Sequence, residues 1–182
     1  MSPTFQPFPK IARLNRTIVI TEKIDGTNAA IGISESGDFW CQSRSRIITP
    51  DDDNFGFARW AYANIDSLVR DLGLGLHFGE WWGAGIQRTY GLDHKRLSLF
   101  NTSRWREPAF TTPNLGVVPV MWTGDWLPDG LFAPDQALLH LRKFGSVAAP
   151  GFERPEGIVV YHGASNTLFK ATLEGDQKGK AT

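Results

Sequence analysis

The apolar positions change period along the first part of the chain. From residue 17 to 44 they alternate with polar ones, with Ile18 and Ile20 first and then Ala30, Ile31 and Ile33. A period of two belongs to strands with one buried face. Glu35-Ser36-Gly37-Asp38 supplies the turn residues of a hairpin. From residue 51 to 72 the period lengthens, and Phe57, Trp60, Ala61, Ile65, Leu68 and Leu72 share one helical face. Asp52, Asp53 or Asn54 can cap that helix and Gly73 ends it.

Further strands are expected over 74–82, 96–101 and 117–122, and a short helix over 135–144 after Pro134. Two closing strands, 157–162 and 167–173, flank a Gly-Ala-Ser-Asn turn. The proline-rich stretch 103–154 is the least legible and is expected to hold loops peculiar to this protein. Many strands, two helices and no regular strand-helix alternation predict an α+β domain built on antiparallel sheets. There is no internal repeat and no low-complexity segment.

Composition narrows the picture. With 182 residues, 41% of them apolar, and seven Trp and twelve Phe, the chain can bury one sizeable core. A single domain over 1–182 is expected, with 1–16 as an N-terminal extension and 174–182 as a flexible tail. Nineteen basic and nineteen acidic residues cancel, which neither demands nor excludes a nucleic-acid partner. The lone Cys41 rules out an internal disulfide and a thiolate cluster, and four scattered His show no metal-ligand spacing. A metal would therefore rest on carboxylates and phosphates. The first sixteen residues lack a charged leader and apolar run, and no apolar stretch approaches the roughly 20 residues of a membrane span. A cytoplasmic location without membrane contact is expected.

Two glycine patterns fail as nucleotide loops. Gly73, Gly75 and Gly79 have the wrong spacing for a dinucleotide turn, and Gly175, Gly179, Lys180 and Thr182 imitate a phosphate loop without its helix.

Five segments carry chemistry. Glu22-Lys23-Ile24-Asp25-Gly26-Thr27-Asn28 lies between two predicted strands, so a lysine projects from a strand-loop junction. A lysine amine attacks phosphorus only unprotonated, a form that nearby cations and partial desolvation favour. A surface turn built on Asp25-Gly26 would show the same residues. Ser43-Arg44-Ser45-Arg46 offers guanidinium groups to phosphate or ribose, or is a solvated loop. His77-Phe78-Gly79-Glu80-Trp81-Trp82-Gly83 ends an apolar strand in a carboxylate that can accept from a ribose hydroxyl. In Leu97-Ser98-Leu99-Phe100 the phenylalanine offers a ring for purine stacking, or packs in the core. Pro155-Glu156-Gly157-Ile158-Val159-Val160 sets an acid at the start of a strand, suited to a divalent metal beside phosphates, and Lys170 follows on the next strand.

In this order the five segments resemble the motifs of the covalent-lysine nucleotidyltransferase superfamily of DNA ligases, RNA ligases and capping enzymes. Lys-x-Asp-Gly-x-Asn, Phe-Gly-Glu and Glu-Gly-Ile-Val-Val are most similar to the T4 RNA ligase 2-like branch, over residues 21–172. The resemblance implies an ATP-grasp-like core of two antiparallel sheets with flanking helices. It implies ATP and Mg²⁺ or Mn²⁺ as cofactors, and nucleic acid as partner, RNA favoured over DNA. Lys23 would take AMP and Lys170 would contact the α-phosphate. Glu22 and Ile24 would help hold adenine, Asn28 and Arg44 would contact phosphate or ribose, Glu80 would bind ribose, Phe100 would stack on adenine, and Glu156 would organise nucleotide and metal.

Two departures stand beside the resemblance. The last motif of the branch carries Lys-x-Lys, but Lys170 is followed by Thr172, so the second lysine is missing or is supplied by Lys178 or Lys180. No C-terminal accessory domain is expected, and a protein partner would stand in for it. The leading reading is an ATP-dependent RNA ligase. The alternatives are a minimal DNA nick ligase and a non-catalytic nucleotide- or nucleic-acid-binding protein of the same fold.

Overall fold

The computed structural model describes residues 4–105 and 109–174. Two sheets organise them. The smaller contains β1 (Thr17–Lys23), β8 (Val120–Asp125), β9 (Gly157–His162) and β10 (Thr167–Thr172), in the order β10-β9-β1-β8 with every pair antiparallel. The larger contains β2 (Thr27–Ile33), β3 (Phe39–Ser43), β4 (Ile47–Ile48), β5 (Gly75–Gly83), β6 (Lys95–Leu99) and β7 (Leu115–Val117), in the order β4-β3-β2-β5-β6-β7. Its pairs are antiparallel except β6 with β7. The α+β class and the antiparallel sheets agree with the sequence pattern.

Each sheet buries one face under helices. α1 (Phe57–Ala63) and α2 (Ile65–Leu72) cover the large sheet, where Phe57, Ala61 and Leu68 meet Ile31, Cys41, Trp81 and Leu97. α3 (Ala133–Phe144) covers the small sheet, with Ala137 and Leu141 against Ile18, Ile20 and Ile158. Each buried large side chain contributes about 1.5–3 kcal/mol. A third cluster of Ile24, Trp82, Tyr90, Val118 and Ala149 joins elements of both sheets.

The helix expected over 51–72 is two helices. The Asn64 side chain donates to the Trp60 carbonyl at 2.7 Å, while its own N–H turns to Ala61 at 3.0 Å. A local side-chain bond thus replaces a helical one, as asparagine readily does. Asp53 caps the first helix, accepting from the N–H of Ala58 and Arg59.

The single strand expected over 117–122 is also two pieces, in different sheets. Val118 and Pro119 separate β7 from β8, and the Pro119 carbonyl accepts from the Glu22 N–H at 3.0 Å. Proline has no N–H for a ladder, so the strand breaks there. The stretch 103–154 accordingly contributes an edge strand to each sheet as well as α3. Residues 175–180, including Lys178 and Lys180, lie outside the described residues.

Candidate active site

Lys23 is the last residue of β1, and its ladder partner is Gly157 at the start of β9. Glu156 stands just outside that pair. The Lys23 Nζ donates to Glu156 Oε2 at 2.6 Å, joining residues 133 positions apart in a part-buried pair. No sequence spacing requires that contact; the β1–β9 register creates it.

The large sheet supplies a facing row. Asn28 in β2, Glu80 in β5 and Ser98 in β6 are consecutive ladder partners and share one face of the sheet. Residues 29 and 31 of β2 lie in the helix-side core, so Asn28 faces the other way. The Gly26 N–H donates to Glu80 Oε1 at 3.1 Å, tying the lysine loop to this row. A Cβ at Gly26 would stand 2.5 Å from the Trp81 carbonyl oxygen, so the loop approaches β5 as closely as only glycine allows.

Burial pushes the Glu80 carboxyl up to about 7; the Lys23 and Arg44 charges pull against that and Glu156 adds to it. The contacts agree for three of these groups: Lys23 pairs with Glu156, and the Gly26 N–H, three residues on, reaches Glu80. Arg44 directly follows β3 and is exposed. Phe100 directly follows β6; its N–H donates to the Phe78 carbonyl at 3.0 Å, and its ring is 39% exposed, open to a flat ligand.

Lys170 in β10 pairs with Val159, which pairs with Thr21. That row is two residues along from Lys23–Gly157–Thr172, so Lys170 and Lys23 rise from the same face. Two strand spacings across and two residues along separate their Cα atoms by roughly 12 Å. Lys170 is exposed and has no polar partner among the described residues. Thr172, where a second lysine was expected, belongs to the row of Lys23 itself.

A family model described as RNA ligase matches residues 16–172 of this chain. The chain belongs to the RNA ligase family. None of the curated proteins compared with it matches significantly. Solved structures of Naegleria gruberi RNA ligase share the fold. A lysine-to-alanine variant with ATP and Mn gives a TM-score of 0.60 at 15% identity, over 87% of this chain and 49% of that one. The PPi complex gives 0.61 at 16% identity, over 94% and 57%. A glutamate-to-alanine variant with ATP and Mn gives 0.62 at 15% identity, over 88% and 51%. The chain thus spans about half the length of these structures.

In this RNA ligase family member, two of the expected nucleotide contacts do not reach the cleft through their side chains. The Glu22 carboxylate, 1% exposed, accepts from the Ser146 hydroxyl at 2.6 Å and from the N–H of Val147 and Ala148 at 2.8 Å each. Strand alternation turns it to the α3 side of the sheet, away from Lys23. Burial raises its carboxyl, and those three hydrogen bonds lower it. Ile24 packs in the third cluster at 3% exposure. Both side chains are closed to solvent in this structure.

The sequence motifs did not join Asp25 to Arg88 and Tyr90. Arg88 Nε donates to Asp25 Oδ2 at 2.9 Å, and the Asp25 N–H donates to the Tyr90 hydroxyl at 2.8 Å. In the sequence, Arg88, Lys95, Arg96, Arg104, Arg106, Arg142 and Lys143 fit either an electrostatic track for a phosphate backbone or scattered surface charge, the second being the more economical reading. The structure favours scattered charge. Lys95 donates to the Phe55 carbonyl, Arg96 stacks over Trp82, Arg104 donates to the Leu72 carbonyl and Lys143 lies over Phe144; Arg106 is outside the described residues.

Proposed function

We propose that this chain is an ATP-dependent RNA ligase that works through a covalent lysyl-AMP at Lys23. The observation that carries the reading is the Lys23–Glu156 contact, with Glu80 close enough for both charges to act on it.

The reaction follows from the positions. The Lys23 amine attacks the α-phosphorus of ATP; an N–P bond forms, the bond to the bridging oxygen breaks, and pyrophosphate leaves. The attacking form is the neutral amine, so the ammonium must first pass one proton to the Glu156 carboxylate it contacts, or to solvent, and release the ion pair. Lys170, on the same face, would stabilise the charge gathering on the α-phosphate. Glu80 and Asn28 would accept from and donate to the ribose, Arg44 would reach phosphate or ribose, and Phe100 would stack on adenine, worth about 1–3 kcal/mol. AMP then passes to a 5′-phosphate, and a 3′-hydroxyl displaces it to seal the strand.

A divalent cation fits the donor chemistry without a protein cage. Among the described residues no group of three or more His, Cys, Asp or Glu side chains could hold a metal alone. Glu156 offers one carboxylate next to the expected phosphates, as magnesium sites commonly do. When bound, Mg²⁺ or Mn²⁺ would supply neutralisation of phosphate charge there.

The Naegleria structures support the residue assignment. They include variants at a lysine, at an aspartate two positions on, at two glutamates and at a later lysine. The step from that first lysine to the first glutamate equals the step from Lys23 to Glu80. The step from the second glutamate to the later lysine equals that from Glu156 to Lys170. Lys23 and Asp25 share the spacing of the first pair. Those structures hold ATP, AMP, PPi and Mn.

RNA as the preferred partner rests on the family. No helix among the described residues is long and apolar enough to cross a membrane. The deciding experiment is intact-protein mass spectrometry after incubation with ATP and Mg²⁺ or Mn²⁺, beside GTP and a Lys23→Ala variant. An added AMP that requires Lys23 supports the reading; folded, AMP-free protein that gains no nucleotide refutes it. Nicked duplexes with a ribose or deoxyribose 3′-hydroxyl strand then test RNA preference, which equal sealing would overturn.

A further inference from the structure

The loop between β5 and β6 is built unlike an ordinary connector. Three non-glycine residues, Gln87, Thr89 and Tyr90, have φ of 43°, 57° and 53°. Left-handed backbone at such residues costs on the order of 1–2 kcal/mol each and persists only where the surroundings over-determine it. Here they do. Ile86 is fully buried in the large-sheet core and Tyr90 is 2% exposed in the third cluster, its ring against Trp82 and Phe152. Four short backbone bonds, from Ile86, Thr89, Tyr90 and Leu92 to residues two or three positions earlier, tighten the coil. Arg88 lies between the two anchors.

It points at the open end of the β1–β9 ladder. The last ladder pair is Lys23–Gly157, and beyond it the two chains part into loops. Arg88 bridges them. Its Nε donates to Asp25 Oδ2 at 2.9 Å and its Nη1 to the Arg154 carbonyl at 3.1 Å. Asp25 is two residues after Lys23 and Arg154 two before Glu156. The other guanidinium nitrogen lies 3.7 Å from the exposed Glu174 carboxylate. On the lysine side Tyr90 adds a second hold, accepting from the Asp25 N–H. On the Glu156 side the Leu173 N–H donates to the Glu156 carbonyl at 2.9 Å.

We infer that Arg88 is a positioning residue for lysine adenylylation: it clamps the Lys23 loop to the segment before Glu156 and so sets the spacing between the nucleophile and its partner carboxylate. The inference rests on the proposed role of Lys23. Two of the three Arg88 nitrogens already donate within the protein, so it acts through Asp25 and Arg154 rather than on the nucleotide. Lysine can replace it only in part, because one ammonium lacks the fork that reaches a carboxylate and a carbonyl in different directions. Geometry alone carries the expected effect, since misplacement by about 1 Å can cost on the order of 100-fold in rate.

The test compares wild type with Arg88→Ala, Arg88→Lys and Tyr90→Phe in single-turnover lysyl-AMP formation over a range of ATP concentration, with melting curves and backbone hydrogen exchange. Arg88→Ala is expected to lower the maximal rate roughly 10- to 100-fold while the half-saturating ATP concentration moves less than about threefold. Arg88→Lys should recover part of the rate, and Tyr90→Phe should lose less than Arg88→Ala. Exchange should quicken at residues 24–26 and 153–156 with the β1–β9 ladder unchanged. A wild-type rate and protection in Arg88→Ala would overturn the clamp. A raised half-saturating concentration at an unchanged maximal rate would overturn it too, by making Arg88 a ligand contact. Should Arg88→Ala not fold, Arg88→Lys decides: full activity and full protection there refute the need for the fork. Should wild type form no adduct, the role of Lys23 falls, and faster exchange confined to the two loops still decides the clamp.

Discussion

Glu22 and Lys23 are neighbours in the chain and point to opposite sides of one sheet. The Lys23 amine reaches Glu156 at 2.6 Å, whereas the Glu22 carboxylate is closed off by Ser146, Val147 and Ala148 behind the strand. On the proposed reading, one belongs to the chemistry and the other to the scaffold that aims it.

Glu22→Ala should therefore act on stability first. It leaves two backbone N–H groups and a hydroxyl without their acceptor in the interior, at a cost of about 1–3 kcal/mol. Thermal melting should show a drop of several degrees. An unchanged melting temperature with a raised half-saturating ATP concentration would instead restore the Glu22 side chain to adenine recognition.

Lys23→Arg should abolish the AMP adduct while the protein melts normally. A guanidinium can pair with Glu156 yet stays protonated and cannot attack phosphorus. Mass spectrometry reads the result directly, and full adduct in this variant would mean that another residue is the nucleophile.

Lys170→Ala should slow adduct formation by roughly 100-fold, the scale of losing one charge-stabilising donor. Its side chain is exposed and without a polar partner among the described residues, so melting should not change. Rapid-quench measurement of adduct formation tests this, and an unaltered rate would remove Lys170 from the α-phosphate.

Glu80 makes the fold sensitive to pH. Its carboxyl rises from an ordinary 4.5 to about 7 because burial disfavours its charge. A carboxyl raised on folding lends stability that is fully present below about 4.5 and is lost as pH climbs through about 7, by at most about 3 kcal/mol. Without nucleotide, the melting temperature should fall between pH 5 and 8 in wild type and fall less in Glu80→Gln. The raised carboxyl of Glu22 works in the same direction, so part of the slope should remain. Equal slopes in the two proteins would show that Glu80 ionises freely in the fold.

The strands and the chemistry-bearing motifs were legible because they are local. A period of two in 17–33 and 157–172, and Lys23 and Glu156 beside strand ends, need only near neighbours to be recognised, whereas Glu80, expected at a strand end, lies within β5, which runs on to Gly83. Pro119 carried a legible signal for the split of the strand over 117–122, and Asn64 a weaker one for the break between α1 and α2. By itself, then, the sequence determined the antiparallel α+β class, the family motifs and most element positions. Tertiary structure decided the rest. Ladder register set Lys23 against Glu156 across 133 positions and lined Asn28 up with Glu80 and Ser98. Strand alternation within a packed sheet turned Glu22 inward, and a strained loop held by Ile86 and Tyr90 drew Arg88 from an apparent surface charge to Asp25. The physical reason is common to all three. Pairing energy and burial depend on which distant segments share a face, and residue type or short-range spacing carries no record of that choice.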